Sequence, residues 1–346
     1  MSKIYKKLKV SLVGMGRISS NHLQALNQLD KFYLIDYLCD SDDTVLNKYK
    51  YLPYKLSNNF DNLINDSSSD LYVLTTPSGL HPDQAVKLIN KNKIVLSEKP
   101  MATSLIDANK ILKALSANSL SRFFTVKQNR FNQTVNKLQD IISKGILGKI
   151  YNINCNVFWT RPQEYYDQAK WRGTKKLDGG AFLNQASHYF DLLIYLFGPV
   201  KSIFSHTRKF ARNIEMEDSG VAVLEFISGA ICTINVSMLT YDKNLEGSIT
   251  LISENGTIKL AGSALNKFEF FKIKDFHEDL SQYDYKLENI YGFGHFKLYE
   301  SIYHSLVNCE KNHLEGDSGL HSLKVILAAY KSSIIGKNIM IEDFFE

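Results

Sequence analysis

Short, almost continuously apolar segments recur along the first 125 or so residues, and stretches with helical periodicity separate them. Segments of this kind are typical of parallel strands that are covered on both faces. The pattern therefore predicts a doubly wound α/β domain. Its strands are expected at residues 8–14, 33–39, 71–75, 94–96 and 123–126, and its helices at residues 19–29, 82–90 and 105–115.

The pattern changes near residue 128, where the predicted strands become longer and alternate more clearly between apolar and polar positions. Strands that follow one another without intervening helices are typical of an open, largely antiparallel sheet. We therefore expect an α+β domain at residues 128–346 after a first domain at residues 1–127. Its strands are predicted at residues 150–159, 200–207, 220–226, 230–238, 248–253 and 257–260, and its helices at 134–144, 180–196, 296–309 and 320–335.

Composition narrows the possible partners. No apolar run approaches the roughly 20 residues that a membrane span needs, and no secretory signal is visible, so we expect a cytoplasmic protein without a membrane partner. The net charge of +5 is spread along the chain rather than concentrated in one basic block, which argues against a nucleic-acid partner. The four cysteines form no CxxC pair and are expected to be buried thiols rather than metal ligands or disulfides.

A glycine turn follows the first predicted strand, at Gly14-Met15-Gly16-Arg17-Ile18-Ser19. Gly14 permits the turn, Gly16 lets the backbone approach a pyrophosphate, and the next helix offers unpaired N–H groups to the anion. Asp40 ends the second strand, where a carboxylate accepts hydrogen bonds from an adenosine ribose and repels a 2′-phosphate, which favours NAD over NADP. Glycine turns and turn aspartates are each common, but their combination favours dinucleotide binding.

Two later segments place polar residues where ligands bind. Glu98-Lys99-Pro100 ends a predicted parallel strand, and ligands of open α/β sheets bind outside the carboxyl ends of the strands. The second segment runs from Asp178-Gly179-Gly180 to His188-x-x-Asp191. Taken singly, a lysine at a strand end is usually solvated and a histidine on a helix is usually a core residue. Together with the glycine turn, the segments resemble the glucose–fructose oxidoreductase and inositol dehydrogenase (Gfo/Idh/MocA) family along nearly the whole chain.

The resemblance implies an NAD-dependent oxidoreductase with an N-terminal Rossmann domain and a C-terminal domain for substrate binding and oligomerisation. In such an enzyme Lys99 lies beside the nicotinamide and contacts the reacting hydroxyl, with a cis peptide before Pro100. Residues 75–81 cover the cofactor, and Trp171 and Arg172 reach toward cofactor and substrate. The predicted cofactor-binding residues are Gly14, Gly16, Arg17, Ile18, Asp40, Thr76, Ser78, His81, Glu98, Lys99, Gln128, Trp171 and Arg172.

The chain departs from the family pattern at Asn184, where most relatives carry aspartate. Asn184 and His188 are four residues apart, which places both side chains on one face of the predicted helix. We hypothesise that asparagine keeps the hydrogen-bonding shape and removes a negative charge near an anionic substrate, because adjacent carboxylates repel. The predicted catalytic residues are Lys99, His188 and Asn184. Either His188 or Lys99 removes the hydroxyl proton while the other stabilises the developing alkoxide, and because histidine titrates near neutrality we favour His188 as the base.

Residues 157–174, 178–193, 238–250 and 291–295 resemble one branch of the family, the UDP-N-acetyl-2-amino-2-deoxyglucuronate dehydrogenases of bacterial surface-polysaccharide synthesis. The resemblance implies oxidation of the sugar C3′ hydroxyl to a ketone. Arginine binds phosphate and carboxylate in forked geometry, as such a substrate requires. A loop tyrosine is usually a packing residue, and the 292–295 segment is nearly as well explained as a simple helix start. The predicted substrate-binding residues are Lys99, Arg161, Tyr166, Asn184, Gln185, His188, Gly294 and His295.

Two rival interpretations stay open at this point. One is a dehydrogenase of another sugar or polyol in the same family. The other is a non-catalytic NAD-binding regulator, against which the presence of both Lys99 and His188 argues. No metal-ligand constellation is visible in the sequence, so no metal is expected. Open sheets of this kind commonly pack face to face, and we expect a homo-oligomer, either a dimer or a tetramer.

Overall fold

The structure, a computed structural model, describes residues 6–262, 264–286 and 294–345. The described residues form two compact units. The first contains residues 6–126 together with His295–Leu320. The second contains the described residues from Lys127 to Gly294 together with residues 321–345.

The first unit is built around a parallel sheet. Its strands are β1 (Leu8–Val13), β2 (Tyr33–Cys39), β3 (Lys55–Ser57), β4 (Leu71–Leu74), β5 (Ile94–Ser97) and β6 (Phe123–Thr125). They pair in the order β3-β2-β1-β4-β5-β6, which reverses direction between β1 and β4. Ligands of such sheets bind beside the carboxyl ends of the strands at this reversal. The helices are α1 (Ser19–Gln28), α2 (Asp43–Leu46), α3 (Phe60–Asp66), α4 (His81–Ile89) and α5 (Leu105–Ala117).

The second unit is built around an eight-stranded mixed sheet. Its strands are β7 (Ile150–Phe158), β8 (Val200–Arg208), β9 (Ser219–Phe226), β10 (Ile231–Ser237), β11 (Glu246–Ser253), β12 (Gly256–Ala261), β13 (Lys267–Ile273) and β14 (Ile339–Met340). The order is β13-β12-β11-β7-β10-β9-β8-β14, and every pair except β7 with β10 is antiparallel. Its first helices are α6 (Gln133–Ser143), α7 (Gln163–Asp167) and α8 (Ser187–Phe197).

Two long helices follow β13 in the chain, α9 (Gly294–Asn308) and α10 (Ser318–Ile335). From His295 onward α9 belongs to the first unit, where its aromatic residues pack beside the start of β2. The ring of Tyr303 stacks on Phe32 with centroids 4.2 Å apart, and the Tyr33 hydroxyl donates to the Tyr299 carbonyl at 2.8 Å. The domain boundary predicted between residues 127 and 128 did not assign this part of α9 to the first domain. Contacts between residues as far apart in the chain as 32 and 303 leave no local pattern in the sequence.

One face of the second sheet is buried and the other is open. Along β9 the side chains of Ala222, Leu224 and Phe226 are buried, whereas Val221 and Val223 are about half exposed. This alternation is that of a strand with one covered face. The register places Ile231 of β10 and Ile252 of β11 on the same exposed face as Val223.

A buried ion group fixes α8 to the segment before α6. Arg130 donates to both oxygens of Asp191 at 2.8 and 2.7 Å, and Lys127 lies 3.0 Å from the same carboxylate. Burial by itself raises the pKa of Asp191, but the two cations lower it to about 2. Asp191 is therefore ionised, and it anchors the helix that carries His188.

The structure confirms the predicted fold class and most elements, and it corrects three points. The predicted helix at 180–196 is a π-helical turn at Ala181–Gln185 followed by α8, with the break at Ala186. The strands β3, β13 and β14 were not predicted. Their side chains are only partly buried, or neighbouring strands determine which of them are buried, so their sequences show no clear apolar pattern. Cys309 is exposed, so the expectation of buried thiols is wrong for this residue and correct for the other three. No helix of the described ranges is long and apolar enough to span a membrane.

Candidate active site

The glycine turn follows β1 and has a backbone that only glycine adopts easily. Gly14 has a φ of +93°, and a Cβ there would lie 2.8 Å from the backbone of Thr75 and Thr76. Its N–H donates to the Cys39 carbonyl at 2.7 Å. Gly14 therefore lets the turn fit between the ends of β2 and β4.

Gly16 has room around it, in contrast to Gly14. A Cβ at Gly16 would meet no atom within 4 Å, so the protein itself does not require glycine there. This open space is what a closely approaching pyrophosphate needs. Ser19 stands where the dinucleotide pattern usually has Gly or Ala; its hydroxyl is buried and donates to the Gly16 carbonyl at 2.6 Å, so it is accommodated without an unpaired polar group.

Asp40 lies directly beside the turn. One of its carboxylate oxygens accepts the backbone N–H of Met15 at 2.7 Å, and the other accepts that of Asp42 at 2.9 Å. Each oxygen of a carboxylate has two acceptor sites, so this fixed carboxylate can still accept from a ribose hydroxyl. The residues around the glycine turn thus fit NAD.

Hydrogen bonds to residues of the first unit hold the segment after β4 in place. The two ring nitrogens of His81 lie 3.0 Å from the Pro100 carbonyl and 2.8 Å from the Thr76 carbonyl. The Thr76 hydroxyl donates to Gln84 at 2.6 Å. His81 thus ties residue 76 to Pro100, whose peptide bond with Lys99 is cis as the resemblance implies. Its predicted contact with the cofactor stays a prediction, as do those of Arg17, Ile18 and Ser78.

The carboxylate of Glu98 is buried after β5, and two histidines face it. Nε2 of His22 lies 3.0 Å from Glu98 Oε1, and Nε2 of His295 lies 3.8 Å from the same oxygen. The second carboxylate oxygen accepts the backbone N–H of Lys99 at 3.0 Å. Burial by itself raises the pKa of Glu98, but its interactions with His22 and His295 hold that pKa well below its usual range. Glu98 is therefore a buried, ionised group joined to the backbone of Lys99.

Among the residues that the structure describes, His22, Glu98 and His295 also form a group that could hold a metal ion. Their ligand atoms all lie within 4.8 Å of one another. The sequence did not indicate this grouping, because the three residues lie far apart in the chain, and its expectation that no metal binds stays a prediction. It had also placed His295 toward the substrate, whereas its buried ring lies beside Glu98.

Asn184, the departure from the family pattern, contacts a carboxylate of its own unit. Its side-chain amide donates to Asp178 Oδ1, and the other oxygen of Asp178 accepts the Gly173 N–H at 2.6 Å. An aspartate at position 184 would face Asp178 with like charge. The structure thus gives a reason for asparagine that does not depend on the substrate. Because the helix breaks at Ala186, Asn184 and His188 do not lie on one continuous α-helix, contrary to the prediction.

His188 is held by a residue of the segment before α6. The Gln128 amide nitrogen lies 3.1 Å from His188 Nε2, and since an amide nitrogen only donates, Nε2 is the acceptor. The neutral ring then carries its proton on Nδ1. Gly294 lies against the same residue, because a Cβ there would come within 2.9 Å of the Gln128 carbonyl carbon. Residues 291–293 of the predicted loop lie outside the described residues.

The turn that carries Asn184 rests on a buried acid that sequence reasoning missed. Glu217 Oε1 accepts the Phe182 N–H at 2.8 Å and the Tyr330 hydroxyl at 2.9 Å. Burial raises the pKa of Glu217 to about 7. A Cβ at Gly180 would collide with this carboxylate, which explains the second glycine of the Gly179-Gly180 pair.

Cationic and aromatic side chains gather around Tyr165. The guanidinium of Arg172 lies 4.3 Å from the centre of its ring, and that of Arg161 lies 5.4 Å from it. Gln185 joins the cluster, since its oxygen accepts from Arg161 Nε at 3.0 Å and its nitrogen lies 3.2 Å from the Tyr165 hydroxyl. Of the predicted residues, Arg161, Arg172 and Gln185 thus meet here. Tyr166 is 7% exposed, with its ring packed edge-to-face on Tyr165.

Gln128 and Arg172 each carry a buried polar atom that has no hydrogen-bond partner among the described residues. These atoms are Gln128 Oε1, an acceptor, and Arg172 Nε, a donor. Buried polar atoms are nearly always paired, so such exceptions commonly mark a ligand position. Trp171 lies beside Arg172, with the guanidinium 5.7 Å from its ring centre, and its own ligand contact stays a prediction.

Comparison with known proteins agrees with the geometry. The description "Oxidoreductase family, NAD-binding Rossmann fold" matches residues 8–126, and "GFO/IDH/MocA C-terminal domain" matches residues 135–259. The chain belongs to the Gfo/Idh/MocA oxidoreductase family. The expected cofactor, NAD, is confirmed by this family, and so is the assignment as an enzyme.

Two solved structures are similar to this chain over nearly its whole length. The WlbA dehydrogenase from Bordetella pertussis, solved with NADH and UDP-GlcNAcA, is 42% identical over 97% of this chain and 98% of that chain, with a TM-score of 0.93. The WlbA dehydrogenase from Chromobacterium violaceum, solved with the same ligands, is 38% identical over 100% of this chain and 98% of that chain, with a TM-score of 0.92.

Curated relatives are more distant. The inositol 2-dehydrogenase of Salmonella typhimurium is 28% identical over 171 residues, which are 46% of this chain and 51% of that enzyme. The chain thus spans about half the length of this curated relative.

The two glycines of the turn predict opposite phenotypes. Gly16→Val adds a side chain in open space, so we expect a thermal midpoint within about 2 °C of the parent and NADH binding weakened at least about tenfold. Gly14→Ala should instead lower the thermal midpoint, because its Cβ meets backbone atoms. Calorimetry and NADH fluorescence titration measure both. Unchanged NADH affinity in Gly16→Val would contradict the assignment of the turn.

The contact between Asp178 and Asn184 predicts that Asn184→Asp makes the stability of the protein depend on pH. In Asn184→Asp two carboxyls face each other in the folded protein, which raises the pKa of one of them above its value in the unfolded chain. The variant is therefore most stable at low pH, where that carboxyl is protonated, and it loses stability as the pH rises. We expect the free energy of unfolding to fall by about 1–2 kcal/mol between pH 5 and pH 8, relative to the parent. Urea unfolding at both pH values measures this. The double variant Asp178→Asn/Asn184→Asp should recover, and failure to do so would refute the pairing.

Proposed function

We propose that the protein is an NAD-dependent dehydrogenase that oxidises the C3′ hydroxyl of UDP-N-acetyl-2-amino-2-deoxy-D-glucuronate (UDP-GlcNAcA) to the 3-keto sugar. The observation that carries the proposal is the 42% identity, over nearly the whole of both chains, to a dehydrogenase solved with NADH and UDP-GlcNAcA. The residues of the second unit support it.

The cluster around Tyr165 suits a substrate with a carboxylate and two phosphates. Arg161 and Arg172 are oriented by protein acceptors: Arg161 Nη1 donates to the Thr160 carbonyl at 2.7 Å, and Arg172 Nη1 donates to Gln168 at 2.8 Å. Stacking on an aromatic ring further fixes a guanidinium and leaves its edge for an anion. The unpaired Arg172 Nε is a donor available to such an anion. We assign this cluster to the acidic part of the substrate.

Lys99 and His188 are proposed to act on the reacting hydroxyl. When bound, NAD accepts the hydride that leaves the sugar carbon. His188 removes the hydroxyl proton through Nε2, where the substrate hydroxyl takes the place of the Gln128 amide that donates to this atom in the structure. Lys99 places a positive charge beside the oxygen as negative charge develops there, and Glu98 fixes its backbone. Asn184 positions the substrate rather than taking a proton, since an amide does not titrate.

The proposed reaction fits a particular setting. A 3-keto sugar is a substrate for transamination, so the product would supply a 3-amino sugar for bacterial surface polysaccharide such as O-antigen. NAD and nucleotide sugars are cytoplasmic metabolites, and the cytoplasm is the proposed compartment.

A substrate panel tests the function. We expect NADH to form with UDP-GlcNAcA and NAD, and at least about tenfold less efficiently with NADP or with neutral UDP-N-acetylglucosamine. Lys99→Met and His188→Asn should each lower kcat by about a hundredfold or more while NADH still binds. Turnover of myo-inositol in place of UDP-GlcNAcA would favour the curated relatives' activity and refute the proposal, and so would full activity of either variant.

We also propose that the protein is a homo-oligomer, a dimer or a tetramer, formed through the open face of the second sheet. Val223, Ile231 and Ile252 expose about half of their apolar side chains on that face. Val223→Lys should reduce the mass measured by sedimentation, whereas Ile106→Lys, at an exposed position on α5, should not. A parent protein that sediments as a monomer would contradict the proposal.

A further inference from the structure

A chain of hydrogen bonds runs through the interior of the first unit and ends at Lys99. The Tyr299 hydroxyl lies 2.7 Å from His22 Nδ1, and His22 Nε2 lies 3.0 Å from Glu98 Oε1. Glu98 Oε2 in turn accepts the Lys99 N–H at 3.0 Å. His22 and Tyr299 are completely buried, and they come from α1 and α9, far apart in the sequence.

The positions of the protons follow from the chemistry of the groups. A carboxylate only accepts, so His22 Nε2 carries a proton and donates it to Glu98. In the neutral ring Nδ1 is then the acceptor, and the Tyr299 hydroxyl is the donor to it. Every link then has one donor and one acceptor.

We propose that His22 is a positioning residue of the dehydrogenase: held by Tyr299, it fixes the Glu98 carboxylate, and Glu98 fixes the backbone that presents Lys99. The proposal rests on the function proposed above for Lys99. His22 is completely buried and acts only through Glu98. Its effect is on the alignment of the lysine, and misalignment of a charged group slows the chemical step more than it weakens binding.

The same three residues, His22, Glu98 and His295, have the donor set of a metal site, and the observed contacts favour the hydrogen-bonded arrangement. The His22–Glu98 distance of 3.0 Å is that of a direct N–H···O bond. The second nitrogen of His22 is also occupied, by Tyr299. The pair is thus complete without an ion between its members, and a bound metal is the alternative that the experiment must detect.

The test compares variants that differ in one hydrogen bond. His22→Leu removes the donor to Glu98, whereas His22→Gln keeps an amide N–H that reaches the same oxygen. Tyr33→Phe is the matched control, because it deletes a buried hydrogen bond to the Tyr299 carbonyl in the same helix–strand contact without touching Glu98. All three are made in the full-length protein, and their thermal midpoints are measured to compare the structural damage.

Two readouts separate positioning from general stability. For His22→Leu we expect kcat with UDP-GlcNAcA and NAD to fall at least about tenfold, with both KM values within about twofold of the parent. We also expect hydrogen–deuterium exchange at the Lys99 amide, resolved by fragmentation mass spectrometry, to become at least about tenfold faster. His22→Gln should restore both to within about threefold, and Tyr33→Phe should change neither.

The exchange measurement needs no substrate, so it tests the network even if the parent enzyme does not oxidise UDP-GlcNAcA. Slow parent exchange that His22→Leu accelerates and His22→Gln restores would support the proposal. Effects of His22→Leu no larger than those of Tyr33→Phe would overturn it. Elemental analysis of the purified parent completes the test: a stoichiometric transition metal that His22→Leu abolishes would overturn it in favour of a metal site.

Discussion

A buried carboxylate is stable only where donors surround it, and this constraint organises the candidate site. Glu98 lies at the end of β5, where ligands of a parallel sheet bind, and an unpaired charge there would cost several kcal/mol. His22 from α1 and the Lys99 N–H satisfy it, and His295 from α9 lies close by. The helix α9 is therefore part of the first unit for a chemical reason as well as for its aromatic packing. Its residues complete the surroundings of an acid that follows β5.

The second unit contains two further buried acids, Asp191 and Glu217, that accept hydrogen bonds from neighbouring segments. Asp191 holds Arg130 and Lys127 and thereby fixes the segment whose Gln128 contacts His188. Glu217 lies under the backbone of the π-helical turn and accepts its N–H at Phe182. A π-helical turn leaves α-helical hydrogen bonds unmade, and such turns often occur at functional sites. Glu217 thus holds the irregular backbone from which Asn184 and Gln185 project.

The sequence predicted the sheets well because their signal is local. Continuous apolar runs marked β1, β2 and β4, and alternation marked β7, β9 and β10. The glycine turn and Glu98-Lys99 were predictable because their position relative to a strand is also local. The partners of Glu98 were not predictable, since His22 and Tyr299 lie far apart in the chain and meet only in the folded protein. The break at Ala186 escaped prediction because the apolar periodicity runs through it, and the Asp178–Asn184 contact depends on that break.

The central claim is that this chain removes hydride from C3′ of a UDP-linked acidic sugar. The most direct measurement incubates the protein with NAD and UDP-GlcNAcA deuterated at C3′, and determines the mass of the reduced cofactor. The proposed function predicts that the deuterium appears in the nicotinamide ring, and that substrate deuterated at C4′ gives unlabelled NADH. Reduced cofactor without deuterium from the C3′-labelled sugar, or no reduction at all, would contradict it.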